Sequence, residues 1–342
     1  MPLLEVADLR CSFRTEDGLV SAVNGVSFAV ERGETLGIVG ESGSGKSVTC
    51  LSLLGLLPGR GVRVSGRAGF KGEELLGMSQ SALRRVRGNQ IAMIFQDPMT
   101  SLNPVRTVGS QLVEGILLHR RQPRSEAWKQ STANLAAVGI PNPETRMHSF
   151  AHEMSGGMRQ RVMIAMALAN EPDLLIADEP TTALDVTTQA QIFRLMRRLR
   201  TVHGMAVILV THDLGVVAEM CDKVLVMYAG RMVESGSVDS IFERPSHPYT
   251  WGLLGSMPRR NAGARRLRAV AGSPPSMLNP PPGCPFHPRC AYAMDVCRTT
   301  EPPLVQVPTD STAHLAACHL PPDSREAEAA RLVAEEKARI AL

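Results

Sequence analysis

The stretch that decides the fold is Gly40-Glu41-Ser42-Gly43-Ser44-Gly45-Lys46-Ser47, which matches the phosphate-binding loop (P-loop) pattern G-x-x-x-x-G-K-S/T. It follows the apolar run from Thr35 to Val39 and precedes a helical pattern, as the strand, loop and helix of such a site require. The glycines let backbone N–H groups converge on phosphate oxygens, and the helix N-terminus adds partial positive charge. A chance glycine-rich turn is the alternative, which the register of Lys46 and Ser47 disfavours.

The side chains of this loop have distinct predicted roles. Lys46 is expected to reach the β- and γ-phosphates of ATP, and Ser47 is expected to help hold Mg²⁺. We therefore expect the nucleotide to be bound by Gly40, Ser42, Gly43, Ser44, Gly45, Lys46 and Ser47.

A second apolar run, Leu174 to Ala177, ends in the adjacent carboxylates Asp178 and Glu179. Ligands bind at the carboxyl ends of strands in open α/β sheets, so both side chains are placed to meet a nucleotide. Asp178 is predicted to bind Mg²⁺, directly or through water, and Glu179 to polarise the attacking water. The alternative is a pair of solvated charges at a strand end, which the P-loop earlier in the chain makes less attractive.

Strand and helix patterns alternate from Leu3 to about Gly236, which indicates an α/β domain with a largely parallel sheet. The strands before Gly33 are typical of an antiparallel subdomain, and helical periodicity from about 98 to 170 indicates a helical insertion. The expected fold is therefore a RecA-like P-loop NTPase core with these two additions. Its core strands are predicted at Thr35 to Val39, Ile91 to Phe95, Leu174 to Ala177 and Ala206 to Val210.

The charge and hydropathy of the chain exclude several classes of protein. Lys and Arg total 37 against 33 Asp and Glu, giving a formal charge of +4 over 342 residues without a basic block, so no nucleic-acid partner is expected. No apolar run approaches the roughly 18 residues that cross a bilayer, and the first residues lack a signal peptide. We expect a cytosolic protein, or one bound to a membrane through partners.

The composition changes beyond Ser237, which divides the chain into a domain of residues 1–237 and a C-terminal extension of residues 238–342 rich in Pro and Cys. Proline is predicted to keep segments such as His247-Pro248-Tyr249 and Pro280-Pro281-Pro282 outside regular elements. The tail from Asp323 to Leu342, rich in Ala, Glu and Arg, is predicted to be helical.

The extension contains the spacing Cys284-x5-Cys290-x6-Cys297-x20-Cys318, which is not the CxxC pair of a zinc ribbon. In a cytosolic protein, clustered cysteines are more typical of metal or cluster ligands than of disulfides. Zn²⁺, an iron–sulfur cluster and uncoordinated thiols all remain open on the residues alone.

The first 236 residues resemble the ATP-binding subunits of ABC transporters. The segment that carries the resemblance, Met154-Ser155-Gly156-Gly157-Met158-Arg159-Gln160-Arg161, looks like the LSGGQ-type signature of that family, with Met in place of the usual Leu. Physically, Ser155, Gly156 and Gly157 form a second anion-binding helix N-terminus, or else an ordinary helix cap. The resemblance implies that two chains pair head to tail, so that this signature contacts the γ-phosphate held by the partner's P-loop.

The same resemblance implies further site residues. Gln96 corresponds to the Q-loop glutamine that senses Mg²⁺, Asp185 to the D-loop aspartate beyond a Thr182 that replaces the usual Ser, and His212 to the switch histidine. Glu179, His212 and Gln96 are thus the expected catalytic set, and Ser47, Gln96 and Asp178 the expected Mg²⁺ set. Phe13 corresponds to the aromatic that stacks on adenine, with buried packing as the alternative.

Within the family, the chain is most similar to the oligopeptide and dipeptide importers. The similarity rests on Phe95 to Pro104, on His247-Pro248-Tyr249-Thr250 and on the cysteine extension. It implies a 4Fe–4S cluster on Cys284, Cys290, Cys297 and Cys318, and a contact of Asp97 to Thr107 with a membrane subunit. Nickel and glutathione importers share these features and stay open, as do a soluble ABC ATPase without transport and a redox protein with a vestigial ATPase.

The resemblance also implies the partners. They are a second, similar ABC ATPase in a heterodimer, two membrane permeases and, indirectly, an extracytoplasmic binding protein. The expected location is peripheral, on the cytoplasmic face of the inner membrane, and the expected reaction is hydrolysis of ATP to ADP and phosphate.

Overall fold

The computed structural model of the chain describes residues 1–59, 61–97, 101–181, 184–256, 270–308 and 313–340, with the backbone alone for residues 333 and 335–340. The chain divides into two compact units. The first unit comprises Met1–Leu3, Val30–Thr35 and Gly77–Val210, and the second comprises the described parts of Leu4–Ala29, Leu36–Leu76 and Thr211–Leu342.

In chain order, the described strands are β1 (Leu4–Thr15), β2 (Gly18–Val30), β3 (Thr35–Val39), β4 (Val62–Phe70), β5 (Glu73–Glu74), β6 (Ile91–Ile94), β7 (Leu174–Asp178), β8 (Ala206–Val210), β9 (Lys223–Tyr228), β10 (Arg231–Ser237), β11 (Val305–Gln306) and β12 (Leu315–Ala316). The described α-helices are α1 (Lys46–Leu53), α2 (Gln80–Val86), α3 (Val108–Leu117), α4 (Arg124–Ala137), α5 (Pro143–Arg146), α6 (Gly156–Leu168), α7 (Val186–His203), α8 (Leu214–Met220), α9 (Val238–Glu243), α10 (Pro248–Gly255), α11 (Asp295–Thr299) and α12 (Pro322–Ile340). Short 3₁₀ helices cover Ala151–Glu153 and His287–Arg289. In these described segments, no helix has both the length and the apolar character needed to cross a bilayer.

Parallel strands form the sheet of the first unit, where β7 pairs with β6 on one side and with β8 on the other. Every residue of β7 and β8 is buried. Strands buried on both faces appear in a sequence as continuous apolar runs, which is why these strands were predictable. The predicted core strands at these positions are confirmed, except that β6 ends at Ile94 rather than Phe95 and β7 extends to Asp178.

Helices fill the first unit between β6 and β7, as the sequence predicts for residues 98–170. The segment of residues 98–100 lies outside the described residues. Thr107 caps α3 by accepting a hydrogen bond at Oγ1 from the Ser110 N–H at 3.3 Å, and α3 buries Leu112 and Ile116. Helix α3 contacts α4 and α6, and α4 contacts α6.

An antiparallel sheet in the second unit has the strand order β2, β1, β4 and β5. Leu4 of β1 lies opposite Phe70 of β4, and the register shifts between Ala7 and Arg10. The antiparallel subdomain that the sequence predicts is confirmed by this sheet.

A mixed group of strands in the second unit has the order β11, β12, β10, β9 and β3. Strand β3 runs parallel to β9, with Leu36 opposite Lys223, whereas β9, β10, β12 and β11 pair antiparallel. Of these strands, β3 alone was predicted from the sequence. Strands β11 and β12 have two residues each, which is too short to produce any periodic pattern.

The described part of the extension packs on these strands instead of forming a core of its own. Its residues Tyr249, Cys284, Phe286 and Cys297 are buried with Tyr228 in one hydrophobic cluster. The Tyr228 and Tyr249 ring centroids are 4.7 Å apart, and those of Tyr228 and Phe286 are 5.1 Å apart. The extension therefore gains apolar burial by sharing the core of β9 and β10.

The prediction that Pro248 and Tyr249 lie outside regular elements is wrong. Pro248 is the first residue of α10. Proline is favoured there, because a backbone N–H at that position would have no hydrogen-bond acceptor within the helix. His247 caps this helix, because its Nδ1 accepts a hydrogen bond from the Tyr249 N–H at 3.0 Å. Burial lowers the pKa of His247 to about 3, so its imidazole remains neutral and can accept that bond.

A fully buried carboxylate, Glu234 of β10, joins separate segments of the second unit. Its Oε1 accepts hydrogen bonds from the Ser246 N–H at 2.5 Å and from His314 Nε2 at 2.8 Å. Its Oε2 accepts one from the His247 N–H at 3.1 Å. Because a buried carboxylate is costly without such donors, Glu234 fixes where these segments lie against β10.

We expect Glu234→Ala to lower the free energy of unfolding by roughly 3 kcal/mol, because it leaves the buried N–H groups of Ser246 and His247 without an acceptor. The measurement is equilibrium unfolding in urea. Glu243→Ala is the matched control: Glu243 ends α9 and is exposed, so its loss should change stability by less than about 0.5 kcal/mol. Equal stabilities of the two variants would show that Glu234 does not organise this region.

Candidate functional site

The loop from Gly40 to Lys46 curves around its own lysine. Lys46 begins α1 and is buried, with a relative exposure of 7%. Its Nζ donates hydrogen bonds to the backbone carbonyls of Gly40 at 2.7 Å and Glu41 at 2.8 Å. The ammonium group therefore lies inside the curve of the loop.

Glycine is required at both ends of this loop because neighbouring backbone approaches closely. Gly40 and Gly45 have φ values of 149° and 100°, which other residues rarely adopt. A Cβ on Gly40 would be 2.2 Å from the Met227 carbonyl oxygen, and one on Gly45 would be 2.4 Å from that of Ala22. The side chains of Ser42, Ser44 and Ser47 are respectively exposed, buried and half-buried.

The first unit places the predicted carboxylates at the end of β7. Asp178 is its last residue and is buried, and Glu179 follows with a φ of 49°. A left-handed backbone at a residue other than glycine costs on the order of 1 kcal/mol, and such conformations are frequent at functional sites. The Gln96 Nε2 donates to Glu179 Oε2 at 3.2 Å, so the structure brings these two predicted residues together.

The signature segment lies at an exposed helix N-terminus. Ser155 caps α6, its Oγ accepting a hydrogen bond from the Met158 N–H at 3.3 Å. Ser155 and Gly156 are exposed, and Gly157 is half-buried. An exposed N-terminus of this kind presents N–H groups and partial positive charge to an anion.

The remaining predicted residues occupy separate positions. Asp185 caps α7 and accepts hydrogen bonds from the Thr188 hydroxyl at 2.7 Å and N–H at 3.0 Å, which lower the pKa of its carboxyl. His212 is exposed just beyond β8, and Phe13 is half-buried on β1. The D-loop residue Thr182 lies outside the described residues.

The predicted cysteine ligands all line one small cavity of the second unit. Cys284, Cys290, Cys297 and Cys318 surround it with His247 and Phe286 among other residues. Burial raises the pKa of the Cys290 thiol to about 12 and that of Cys318 to about 11, and the nearby thiols reinforce both shifts. Within the described parts of the chain, no group of His, Cys, Asp or Glu side chains has the arrangement of a metal-ion site.

A contact between the P-loop and the extension was not predictable from the sequence. The Arg289 guanidinium binds Glu41 of the loop in a bidentate pair, Nη1 to Oε2 at 2.6 Å and Nη2 to Oε1 at 2.9 Å. The Glu41 N–H also donates to the Tyr249 hydroxyl oxygen at 2.7 Å. Tyr249 was visible only as part of a family segment, and no sequence pattern connects Arg289 with a loop near the start of the chain.

Comparison with known proteins identifies the family. Residues 23–182 match the family model for ABC transporters, and residues 233–297 match the one for the C-terminal region of oligopeptide/dipeptide transporters. The oligopeptide transport ATP-binding protein OppD of Salmonella typhimurium is 53% identical over 93% of this chain and 94% of its own. The dipeptide transport ATP-binding protein DppD of Bacillus subtilis is 52% identical over 88% of this chain and 90% of its own.

A solved structure supports the same assignment. The dimeric bacterial ABC transporter cassette MJ0796 superposes with a TM-score of 0.63 at 25% identity, covering 69% of this chain and 98% of that one. Together with the sequence relatives, this likeness accounts for the α/β core, the mixed and antiparallel sheets and the P-loop. The chain belongs to the ATP-binding protein family of ABC transporters, in the group that carries the oligopeptide/dipeptide transporter C-terminal region.

Proposed function

We propose that this ABC ATPase powers the import of oligopeptides or dipeptides through partner membrane permeases. The observation that carries the proposal is the match over 93% of the chain to a protein named for oligopeptide transport, together with the matching C-terminal region. As a member of this ATPase family, the chain uses ATP with Mg²⁺. Nickel and glutathione are the competing cargoes, and a transport assay distinguishes them from peptides.

The nucleotide is bound by the P-loop in this proposal. Gly40, Gly43 and Gly45, with Ser42 and Ser44, surround the phosphates, and Lys46 neutralises part of their charge. The burial of Lys46 inside the loop supports this role. Ser47, Asp178 and Gln96 hold Mg²⁺, and Phe13, half-buried at the surface of β1, stacks on the adenine ring.

Hydrolysis depends on Glu179, Gln96 and His212 in this proposal. Glu179 accepts a proton from the attacking water, and Gln96 orients the carboxylate through the hydrogen bond to its Oε2. His212, exposed beyond β8, contacts the γ-phosphate. The left-handed backbone at Glu179 supports a functional role, because it fixes the direction of the carboxylate at an energetic cost.

A second ABC ATPase completes the nucleotide site. Ser155, Gly156 and Gly157 contact the γ-phosphate held by the partner, and Asp185 lies at the same interface. The exposed N-terminus of α6 supports this role, because it leaves backbone donors accessible to another chain. We infer a head-to-tail heterodimer in which the partner is a similar ATPase.

The ATPase pair couples to two permeases at the cytoplasmic face of the inner membrane, where this chain is peripheral. The segment Asp97 to Thr107 receives a membrane subunit in this proposal, although residues 98–100 lie outside the described residues. An extracytoplasmic binding protein selects the cargo, so this chain need not contact it. No nucleic acid is proposed as a partner, because the formal charge of the chain is only +4.

We divide the chain into a nucleotide-binding domain, residues 1–237, and a C-terminal extension, residues 238–342. We further propose that Cys284, Cys290, Cys297 and Cys318 hold a 4Fe–4S cluster, with Zn²⁺ as the alternative. The four cysteines line one cavity, which supports their role as ligands, because thiolates commonly bind both iron–sulfur clusters and Zn²⁺. A multinuclear cluster holds its ligands farther apart than a single ion does. The bound group would cross-link the loops of the extension.

Glu179→Gln is expected to lower the steady-state ATPase rate of the assembled transporter by roughly 10²- to 10³-fold, because the water loses its general base while the phosphate contacts persist. ATP affinity should be retained, and the ATP-bound dimer should accumulate. The measurements are phosphate release, nucleotide binding, and uptake of a labelled peptide into proteoliposomes in competition with nickel and with glutathione.

The matched control for this test is Glu171→Gln, because Glu171 is an exposed carboxylate that lies just before β7 and, like Glu179, has a positive φ. It should hydrolyse ATP at the wild-type rate. An unchanged rate in Glu179→Gln would remove Glu179 from the mechanism. Uptake competed by nickel or glutathione but not by peptides would overturn the proposed cargo.

Anaerobically purified chain is expected to contain iron and inorganic sulfide in equal amounts, about four of each, with visible absorbance. Cys290→Ser should lose them, because the serine hydroxyl replaces a thiolate ligand. Cys221→Ser is the control, since Cys221 lies outside the four-cysteine segment and should leave the content unchanged. Zinc without sulfide would favour the alternative, and a chain without either would contradict both.

A further inference from the structure

Arg289 of the extension binds the P-loop at Glu41, a position that the P-loop pattern leaves variable. Glu41 is the first residue after Gly40, and its carboxylate belongs to the loop that binds the negatively charged phosphates. An uncompensated carboxylate at this place would repel a triphosphate. The structure compensates this charge with Arg289.

The Arg289 side chain is held in place by several contacts besides the pair with Glu41. Its Nε donates to the Ala271 carbonyl at 2.8 Å and its Nη2 to that of Val270 at 3.1 Å, while its guanidinium carbon lies 5.8 Å from the centre of the Tyr228 ring. Its side chain is 5% exposed, against 26% for Glu41. A bidentate pair in such partial burial is stronger and more directional than a surface ion pair.

A second residue of the extension, Tyr249, holds the backbone of the P-loop at Glu41. The Tyr249 hydroxyl, which accepts from the Glu41 N–H, belongs to a ring that packs against those of Tyr228 and Phe286. Arg289 and Tyr249 therefore hold the side chain and the backbone of the same loop residue. Both anchors come from the part of the chain beyond Ser237.

We propose that Arg289 is a positioning residue for nucleotide binding, which neutralises Glu41 and holds the P-loop in the geometry that receives the phosphates. This inference rests on the proposed binding of ATP by the P-loop and adds a residue that the P-loop itself does not contain. Arg289 acts through Glu41 and need not touch the nucleotide.

Arg289→Gln is expected to raise the dissociation constant for the Mg²⁺ complex of a non-hydrolysable ATP analogue roughly tenfold, within the usual range of couplings between sites. In the assembled transporter, KM for ATP should rise by a similar factor while kcat changes by less than about twofold. Arg289→Lys keeps the charge but loses the bidentate geometry, so its dissociation constant should lie between those of the wild type and Arg289→Gln. The measurements are calorimetric titration of the full chain and steady-state kinetics.

The decisive variant is the double substitution Glu41→Gln with Arg289→Gln. Removing both charges should bring the dissociation constant back to within about threefold of the wild type, because the repulsion by Glu41 is gone, and the remaining difference measures the lost hold on the loop. If Arg289→Gln merely unfolds the extension, the double variant should bind as weakly as the single one, and the proposal is overturned.

Arg298→Gln is the matched control, because Arg298 is exposed and adjoins Cys297 as Arg289 adjoins Cys290. It should bind the analogue as the wild type does. Equal affinities of Arg289→Gln and the wild type would overturn the positioning role while leaving the proposed function intact. A wild-type chain that bound no ATP analogue would instead overturn the proposed function.

Discussion

The close approach of backbone at both ends of the P-loop is the constraint on which the rest of the second unit depends. At Gly40 and Gly45 the carbonyls of Met227 and Ala22 occupy the space of any Cβ, so the loop is confined between β9 and β2. This confinement bends the chain around the Lys46 ammonium. A loop shaped by its surroundings in this way does not have to be ordered by the phosphate, and less conformational entropy is lost on binding.

Strand β9 also supports the described C-terminal residues, which pack on it instead of forming a core of their own. Tyr228 ends β9, the strand against which Gly40 packs, and its ring contacts both Tyr249 and Phe286 of the extension. Burial of these rings supplies apolar stabilisation that a polar, proline-rich segment could not generate alone. Cys284, Cys290 and Cys297 are thus held by protein packing around the cavity that they share with Cys318.

Much of the fold and of the candidate site was predictable from the sequence, for physical reasons that differ between elements. Buried strands such as β7 show as apolar runs, and the P-loop glycines show because close backbone contact tolerates no other residue. Strand β9 was missed although it has the same apolar character, and β12 was too short to be seen. The Arg289–Glu41 pair joins residues far apart in the chain, and a charged residue of this kind looks in sequence like any solvated surface charge.

The contacts of Arg289 connect two parts of the molecule that the sequence presents as independent. Arg289 ends the 3₁₀ helix His287–Arg289, and the next residue is Cys290, whose thiol lines the cysteine cavity. The residue that lines the cysteine cavity and the residue that binds Glu41 of the P-loop are therefore neighbours in the chain. One hydrogen-bonded pair thus links the cysteine segment to the P-loop, even though more than two hundred residues separate them in the sequence.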